Sequence, residues 1–224
     1  MLTTLIVVPV LNESATLNDQ LSRLRVLREQ GAEVLLVDGD SVDSTRDIIR
    51  AEGFSLLESE RGRAIQMNAG ARAMQSDILI FLHADTRLPP DSLLKVEQHL
   101  SQGRQWGRFD VRIVGSSSWF AVIAFFMNIR SRLTGIATGD QTFFMTREAF
   151  DAVGGFPIQP LMEDIEMSKR LKRLSAPVCL HDRVETSGRR WEQHGVWTTI
   201  LLMWRLRWAY WRGTPANTLA RLYR

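Results

Sequence analysis

The chain has 224 residues, 45% of them hydrophobic and 24% charged, with a formal net charge of +3. That composition excludes a disordered chain, a collagen-like repeat and a coiled coil, and the length suits one large domain or one domain with an appendage. The single cysteine, Cys179, excludes an internal disulfide and a Cys-rich zinc site and fits a reducing compartment.

The charge is unevenly placed. Residues 169–224 carry twelve Lys/Arg against three Asp/Glu, whereas the first 168 are acidic overall, so the pI near 9.5 belongs to the C-terminal quarter. A basic end can meet phosphates, nucleic acid or anionic lipid. Residues 1–9 lack a basic leader, so no signal peptide is expected. The apolar run 119–127 is too short to span a bilayer, and 196–211 is interrupted by Arg205 and Arg207. A cytoplasmic location follows, with or without peripheral contact at the inner face of the membrane.

Short apolar runs alternate with helical patterns along the first half. Residues 5–10 read as a buried strand and 14–29 as a helix, with Leu17, Leu21, Leu24 and Leu27 at helical spacing. A second strand, 33–37, runs into a Gly/Asp/Ser loop, after which Ser44 can cap a helix through Ile49. Strands at 54–57 and 78–82 flank a helix at 64–74, and Pro89–Pro90 open a helix containing Leu93, Leu94 and Val96. The second half reads as a strand at 109–114, an apolar helix at 118–133 and a strand at 142–146 with a helix from Arg147. An amphipathic helix at 162–174, a strand at 178–181 and a Trp-rich helix at 196–212 complete it. The expected fold is α/β, a mostly parallel central sheet with helices on both faces: a domain over 1–190 and a basic, Trp-rich helical extension over 191–224.

In such sheets ligands sit at the carboxyl ends of the strands, so the polar residues there come first. The loop Asp38-Gly39-Asp40-Ser41-Val42-Asp43 holds three carboxylates. It reads either as a solvated turn with a helix cap or as a site where Asp38 accepts hydrogen bonds from a base or ribose. In His83-Ala84-Asp85 the carboxylate suits Mg²⁺ or Mn²⁺ and imidazole can join a Mn²⁺ shell; a helix-start Asp and a half-buried His are the alternative. Glu163-Asp164 could be ordinary acids at a helix N-terminus, yet two adjacent acids opposite Gly139-Asp140-Gln141 also suit a general base toward a hydroxyl. Arg189-Arg190-Trp191 is either a basic surface turn or a fork for diphosphate. No GxGxxG or GxxxxGK[ST] motif occurs, which argues against a dinucleotide enzyme and a P-loop NTPase.

Taken in order, Pro9-Val10-Leu11-Asn12-Glu13, Asp38 to Thr45, His83-Ala84-Asp85 and Glu163-Asp164 resemble the family 2 glycosyltransferases of GT-A fold, over roughly residues 4–175. The segment from Gly62 to Gly70 resembles that family's Arg/Asn-Gly helix beside the donor. Ser187-Gly188-Arg189-Arg190-Trp191 with Gly195-Val196-Trp197 is similar to the bacterial single-domain arsenosugar-type branch. The resemblance implies transfer of a sugar from a nucleotide-diphosphate sugar to an acceptor hydroxyl with inversion. Carried over, Pro9 and Glu13 border the nucleotide, Asp38 holds the base and Asp43 supports its loop. Arg63, Asn68, Arg189, Arg190 and Trp191 serve the donor, and Gly139, Asp140 and Gln141 face donor sugar and acceptor. Asp85, with His83, holds the divalent cation, and Asp164 is the catalytic base with Glu163 as its neighbour. One departure is His83 in the first position of the family's DxD motif, which lowers the negative charge at the metal.

A sugar-phosphate nucleotidyltransferase and a non-catalytic nucleotide-sugar-binding module are the competing readings. The 196–212 helix can pack on the sheet or lie on a membrane, which would suit a lipid-linked acceptor. Nucleic acid is not an expected partner, because the basic residues sit beside an apolar face rather than in a stripe.

Overall fold

In the computed structural model, which describes residues 2–223, the alternating strand and helix patterns of the first half become βα units. Strand β1 (Thr4–Val10) leads to α1 (Leu17–Glu29), β2 (Glu33–Asp38), α2 (Thr45–Ala51), β3 (Ser55–Glu58), α3 (Arg63–Ala73) and β4 (Ile78–Phe81). The short strand β5 (Thr86–Arg87) and α4 (Ser92–Ser101) follow. The second half contributes β6 (Trp106–Val114), α5 (Trp119–Thr134), a 3-10 turn (Gly139–Gln141), β7 (Phe143–Thr146), α6 (Arg147–Ala152), α7 (Glu163–Leu171) and β8 (Val178–Ser187). Three helices close the described chain, α8 (Arg189–His194), α9 (Val196–Trp211) and α10 (Ala216–Leu222).

The eight strands form one sheet in the order β3-β2-β1-β4-β7-β6-β8-β5. Strands β1 to β4 pair in parallel, as the βα repeats require. β7 then inserts antiparallel between β4 and β6, β8 runs parallel to β6, and β5 is antiparallel to β8. The sheet is therefore mostly parallel, with an antiparallel seam that the alternation in the second half did not reveal. Pro9 is tolerated in β1 because the ladder to β4 covers only Thr4 to Val7, so its missing N–H falls beyond that edge.

Side chains alternate along each strand, and each parity feeds a different core. Ile6, Val8 and Val10 face α1, α4 and α5, whereas Leu5 and Val7 face α3, α6 and α7. α3 is rich in small residues because it lies almost on the sheet: a Cβ on Gly70 would sit 2.5 Å from Val7 Cγ1 and 2.8 Å from Val37 Cγ2. A third, smaller cluster joins the C-terminal helices to the body through Met162, Leu206 and Leu219.

Several boundaries differ from expectation for local reasons. α1 starts at Leu17 because the Glu13 carbonyl takes the N–H groups of Thr16 and Leu17. Ser44 occupies the cap position of α2 but makes no capping hydrogen bond. Asp43 Oδ1 accepts from Thr45 N–H instead. α4 begins two residues after Pro90 because Asp91 adopts a left-handed conformation. β8 extends six residues past 181, carried by pairing with β6 across a register shift at Phe109/Asp110. Neither β5 nor α10 was expected, since two residues and one short helix carry too little periodicity to read.

Candidate active site

The carboxyl ends of β1, β2 and β4 open on one edge of the sheet, and the loops after β1 and β2 are tied together by backbone donors. Asn12 N–H donates to Ser41 Oγ at 2.9 Å, Glu13 N–H to Thr45 Oγ1 at 2.9 Å and Ser14 N–H to Asp43 Oδ2 at 3.1 Å. The hydroxyl groups of Thr45 and Ser14 and the amides of both residues hold the Asp43 carboxyl well below the usual carboxylate range, so Asp43 braces this junction.

Asp38 closes β2 and is fully buried. Its Oδ2 accepts from Ser41 N–H at 2.9 Å, while Oδ1 has no partner among the described residues. A buried carboxylate oxygen left open is costly unless a ligand donor meets it. Asp38 also lines a cavity of about 350 Å³ with Asp40, Arg46, Glu58, Ser59, Glu60 and Arg61. Asp85 and Asp164 lie outside that cavity lining.

A second cluster forms around the 3-10 turn and the start of α7. Gly139 N–H donates to Asp164 Oδ2 at 3.1 Å, and Ile165 N–H to Asp164 Oδ1 at 2.7 Å. Burial, together with the adjacent Glu163 charge, pushes the Asp164 carboxyl up to about 6 against those donors. Arg63 Nη1 lies 3.5 Å from the buried Glu163 Oε1, and that carboxylate holds the guanidinium charged against the desolvation it suffers. His83 Nδ1 lies 3.4 Å from Asp140 Oδ1. Burial works to raise the Asp140 carboxyl, but His83, Arg63 and Arg190 keep it below its ordinary value.

The C-terminal arginines reach both groups. Arg189 Nη2 is 3.6 Å from Glu13 Oε2, and the Arg190 guanidinium stacks 3.7 Å above the Tyr223 ring. The segment 189–191 is thus brought to the loop after β1, with Trp191 half-buried against the main core.

Two expected site residues have complete partners inside the fold. The Asn68 amide donates to Phe156 C=O and accepts from Phe156 N–H, both at 2.8 Å, tying α3 to the loop before α7. Gln141 is buried, with its amide on Asn128 Oδ1 and Thr138 N–H. Three side chains near the site lay outside the sequence reading. Arg130 on α5 keeps Nε and Nη2 buried and unpartnered among the described residues, within reach of the Asp164 charge. Burial raises the Tyr223 hydroxyl, whose neighbours include Arg190, Arg63, Asp140 and Asp164. Met162 holds a left-handed backbone directly before Glu163. No sequence signal marked them, because each matters only through long-range packing. Of the five non-glycine residues at positive φ among the described residues, Asn12, Asp40, Thr142 and Met162 border these two clusters, a concentration common at functional sites.

Among the described residues no group of three His, Cys, Asp or Glu side chains could by itself hold an ion. Mg²⁺ and Mn²⁺ are commonly bound by one or two carboxylates plus substrate phosphates, and the exposed Asp85 just beyond β4 fits that pattern. His83 is less free: its ring lies so close to Gly139 that an added Cβ there would be 2.3 Å from Cε1 and 2.4 Å from Nε2.

Comparison with known proteins points one way. The sequence profile described as Glycosyl transferase family 2 matches residues 5–154, and so ends before Glu163. The succinoglycan biosynthesis protein ExoA of Rhizobium meliloti is 30% identical over 200 residues, covering 80% of this chain and 61% of that protein. An undecaprenyl-phosphate 4-deoxy-4-formamido-L-arabinose transferase of Aeromonas hydrophila is 32% identical over 109 residues, 44% of this chain and 33% of that one. The chain therefore spans between one third and about three fifths of these relatives. Among solved structures, a mannosyltransferase of Pyrobaculum calidifontis in complex with GDP-Man and Mn²⁺ superposes with a TM-score of 0.62 at 20% identity, covering 82% of this chain and 56% of that one. Glucosyl-3-phosphoglycerate synthase of Mycobacterium tuberculosis, in complex with Mn²⁺, UDP and glucosyl-3-phosphoglycerate, gives 0.62 at 18%, covering 83% and 71%. At those identities the structural likeness speaks for the fold, which is GT-A.

Proposed function

The chain belongs to glycosyl transferase family 2, and from that premise we propose that it is an inverting enzyme moving a sugar from a nucleotide-diphosphate donor to an acceptor hydroxyl. The observation that carries the mechanism is Asp164: a carboxylate at the start of α7, oriented by Gly139 N–H and pushed up toward neutral pH. A base works best with a pKa near the operating pH, and this environment supplies that.

In this reading the nucleotide lies along the ends of β1 and β2. Asp38 Oδ1 accepts from the base, Asp43 and Asn12 fix the loop, and Pro9 and Glu13 border the nucleotide. Arg63, Arg189 and Arg190 meet the diphosphate, with Asn68 and Trp191 holding their supports in place. A divalent cation, Mg²⁺ or Mn²⁺, held by Asp85, would supply Lewis-acid neutralisation of the leaving diphosphate. His83 and Asp140 fix the turn beside it, and Gly139 and Gln141 shape the sugar-facing wall. The acceptor O–H gives its proton to Asp164 Oδ as its oxygen bonds to the anomeric carbon from the opposite face. The bond to the diphosphate breaks, and its electron pair leaves on phosphate oxygen. A lipid-linked acceptor, with peripheral contact through 196–212 at the inner membrane face, is supported by the undecaprenyl-phosphate transferases among the relatives.

The test is a panel of UDP-, GDP-, TDP- and CMP-sugars in thermal shift with and without Mn²⁺, followed by product analysis of the chain and Asp164→Asn. Binding raises apparent stability. Release of nucleoside diphosphate by the native chain, lost in Asp164→Asn while donor binding persists, is expected. Release of pyrophosphate, or undiminished transfer by the variant, overturns the reading.

A further inference from the structure

Two helices turn apolar stripes outward. On α9, Trp197, Leu201, Trp204, Trp208 and Trp211 are each more than half exposed, and their four-three-four-three spacing aligns them on one face. On α5, Trp119, Val122, Phe125, Phe126, Ile129 and Leu133 are also exposed. The Trp119 ring meets the Trp197 ring edge-on with centroids 4.8 Å apart, so the two stripes join. Scattered exposed apolar residues are normal, but a joined face of this extent marks an interaction site.

Internal packing does not use this face. The other side of α9 is already engaged: Val196 and Ile200 against the main core, and Leu206 with Met162 and Leu219. Charge indicates what covers it. Neither α5 nor α9 contains an acidic residue, and none follows Glu192 anywhere in the sequence, whereas five arginines do. Arg205 and Arg212 are exposed, each one residue after a stripe tryptophan. Tryptophan with arginine and no acid is the composition of a helix lying at headgroup depth on an anionic bilayer. At 16 residues α9 is about 24 Å long, short of the ~30 Å hydrocarbon core, and no described helix is long and apolar enough to cross a membrane.

We propose that the joined faces of α5 and α9 form a docking surface for an anionic lipid bilayer, both helices lying in its interfacial plane. The placement bears on the site: α9 is lined on its inner side by Leu206 against Met162, the residue before Glu163 and Asp164. The acidic pair thus directly follows a residue that packs against the inner side of α9, opposite the outward stripe. An acceptor carried in the headgroup layer would meet the base there, a consequence that rests on the transferase reading above.

The experiment uses the full chain with vesicles of phosphatidylcholine alone or mixed with phosphatidylglycerol, read by co-sedimentation and by the blue shift of tryptophan emission. Binding to the anionic vesicles is expected, weakened by salt because surface charge is screened within about 10 Å at ~0.1 M. Trp204→Glu on α9 and Phe126→Glu on α5 should each weaken it about tenfold or more, while Leu94→Glu on α4, equally exposed, should not. Thermal unfolding confirms that each variant is folded, with Trp204→Ala and Phe126→Ala as milder replacements. Absent vesicle binding, equal binding to neutral vesicles, or sensitivity confined to one helix overturns the proposal. So does self-association, or capture of a single-stranded RNA oligonucleotide, that both variants abolish in a chain that ignores vesicles. Donor binding, followed separately by thermal shift, reads the transferase assignment, so the two can fail independently.

Discussion

Asp164 and Asp38 are both carboxylates at element ends, yet their surroundings differ, and the tasks proposed for them differ accordingly. Asp164 is desolvated beside Glu163, so its carboxyl rises from 3.8 to about 6. In the proposed mechanism the ionised form is the base, so kcat should climb with pH through about 6 and level above it; a pH–rate profile flat down to pH 4.5 would contradict the assignment. The folded pKa lies above the unfolded one. This group therefore subtracts from stability as pH rises from about 3.8 to 6, and the loss is complete above that window. Asp38 keeps one oxygen paired with Ser41 and one open. Asp38→Asn replaces an acceptor with a donor at one of the two positions and should weaken nucleotide binding about tenfold by calorimetry, roughly one hydrogen bond's worth.

At the level of elements, two close approaches and one cap carry the argument. α3 rests on β1 and β2 through Gly70, and no Cβ fits between Val7 and Val37. Gly70→Val should cost about 1–3 kcal/mol in denaturant unfolding, the usual penalty for overpacking. The 3-10 turn carries Gly139 against the His83 ring. Gly139→Ala must displace either the ring or the turn that orients Asp164, so kcat should fall while donor affinity changes little. α2 is capped by Asp43 rather than Ser44. Ser44→Ala should therefore stay within about 0.5 kcal/mol of the native chain, and Asp43→Ala should destabilise more. The equal result for both would return the cap to Ser44.

Across the whole molecule, the C-terminal helices pack beside the start of α7. Leu219 is fully buried against Met162 and Leu206, and Tyr223 lies near Arg63 and Asp164. Leu219→Ala should cost about 2–4 kcal/mol and admit water near Asp164, shifting the acid limb of the pH–rate profile downward. An unchanged profile in the destabilised variant would separate α10 from the base. Much of this protein was legible in its sequence. The βα alternation fixed the parallel half, because buried strands and amphipathic helices have local periods. The polar residues after each strand were placed in advance on one edge, because strand ends in such sheets converge. Glu163-Asp164 was legible as two acids at a helix start, suited to a general base, but its burial and the Gly139 N–H donor were not. Tertiary structure alone decided that β7 runs antiparallel, that Asn68 and Gln141 are saturated internally, and that Tyr223 returns to the site from the far end of the chain. Those outcomes depend on residues tens of positions apart meeting in one place, and a desolvated carboxylate or an outward-facing tryptophan stripe exists only once packing has chosen which side of each helix is covered.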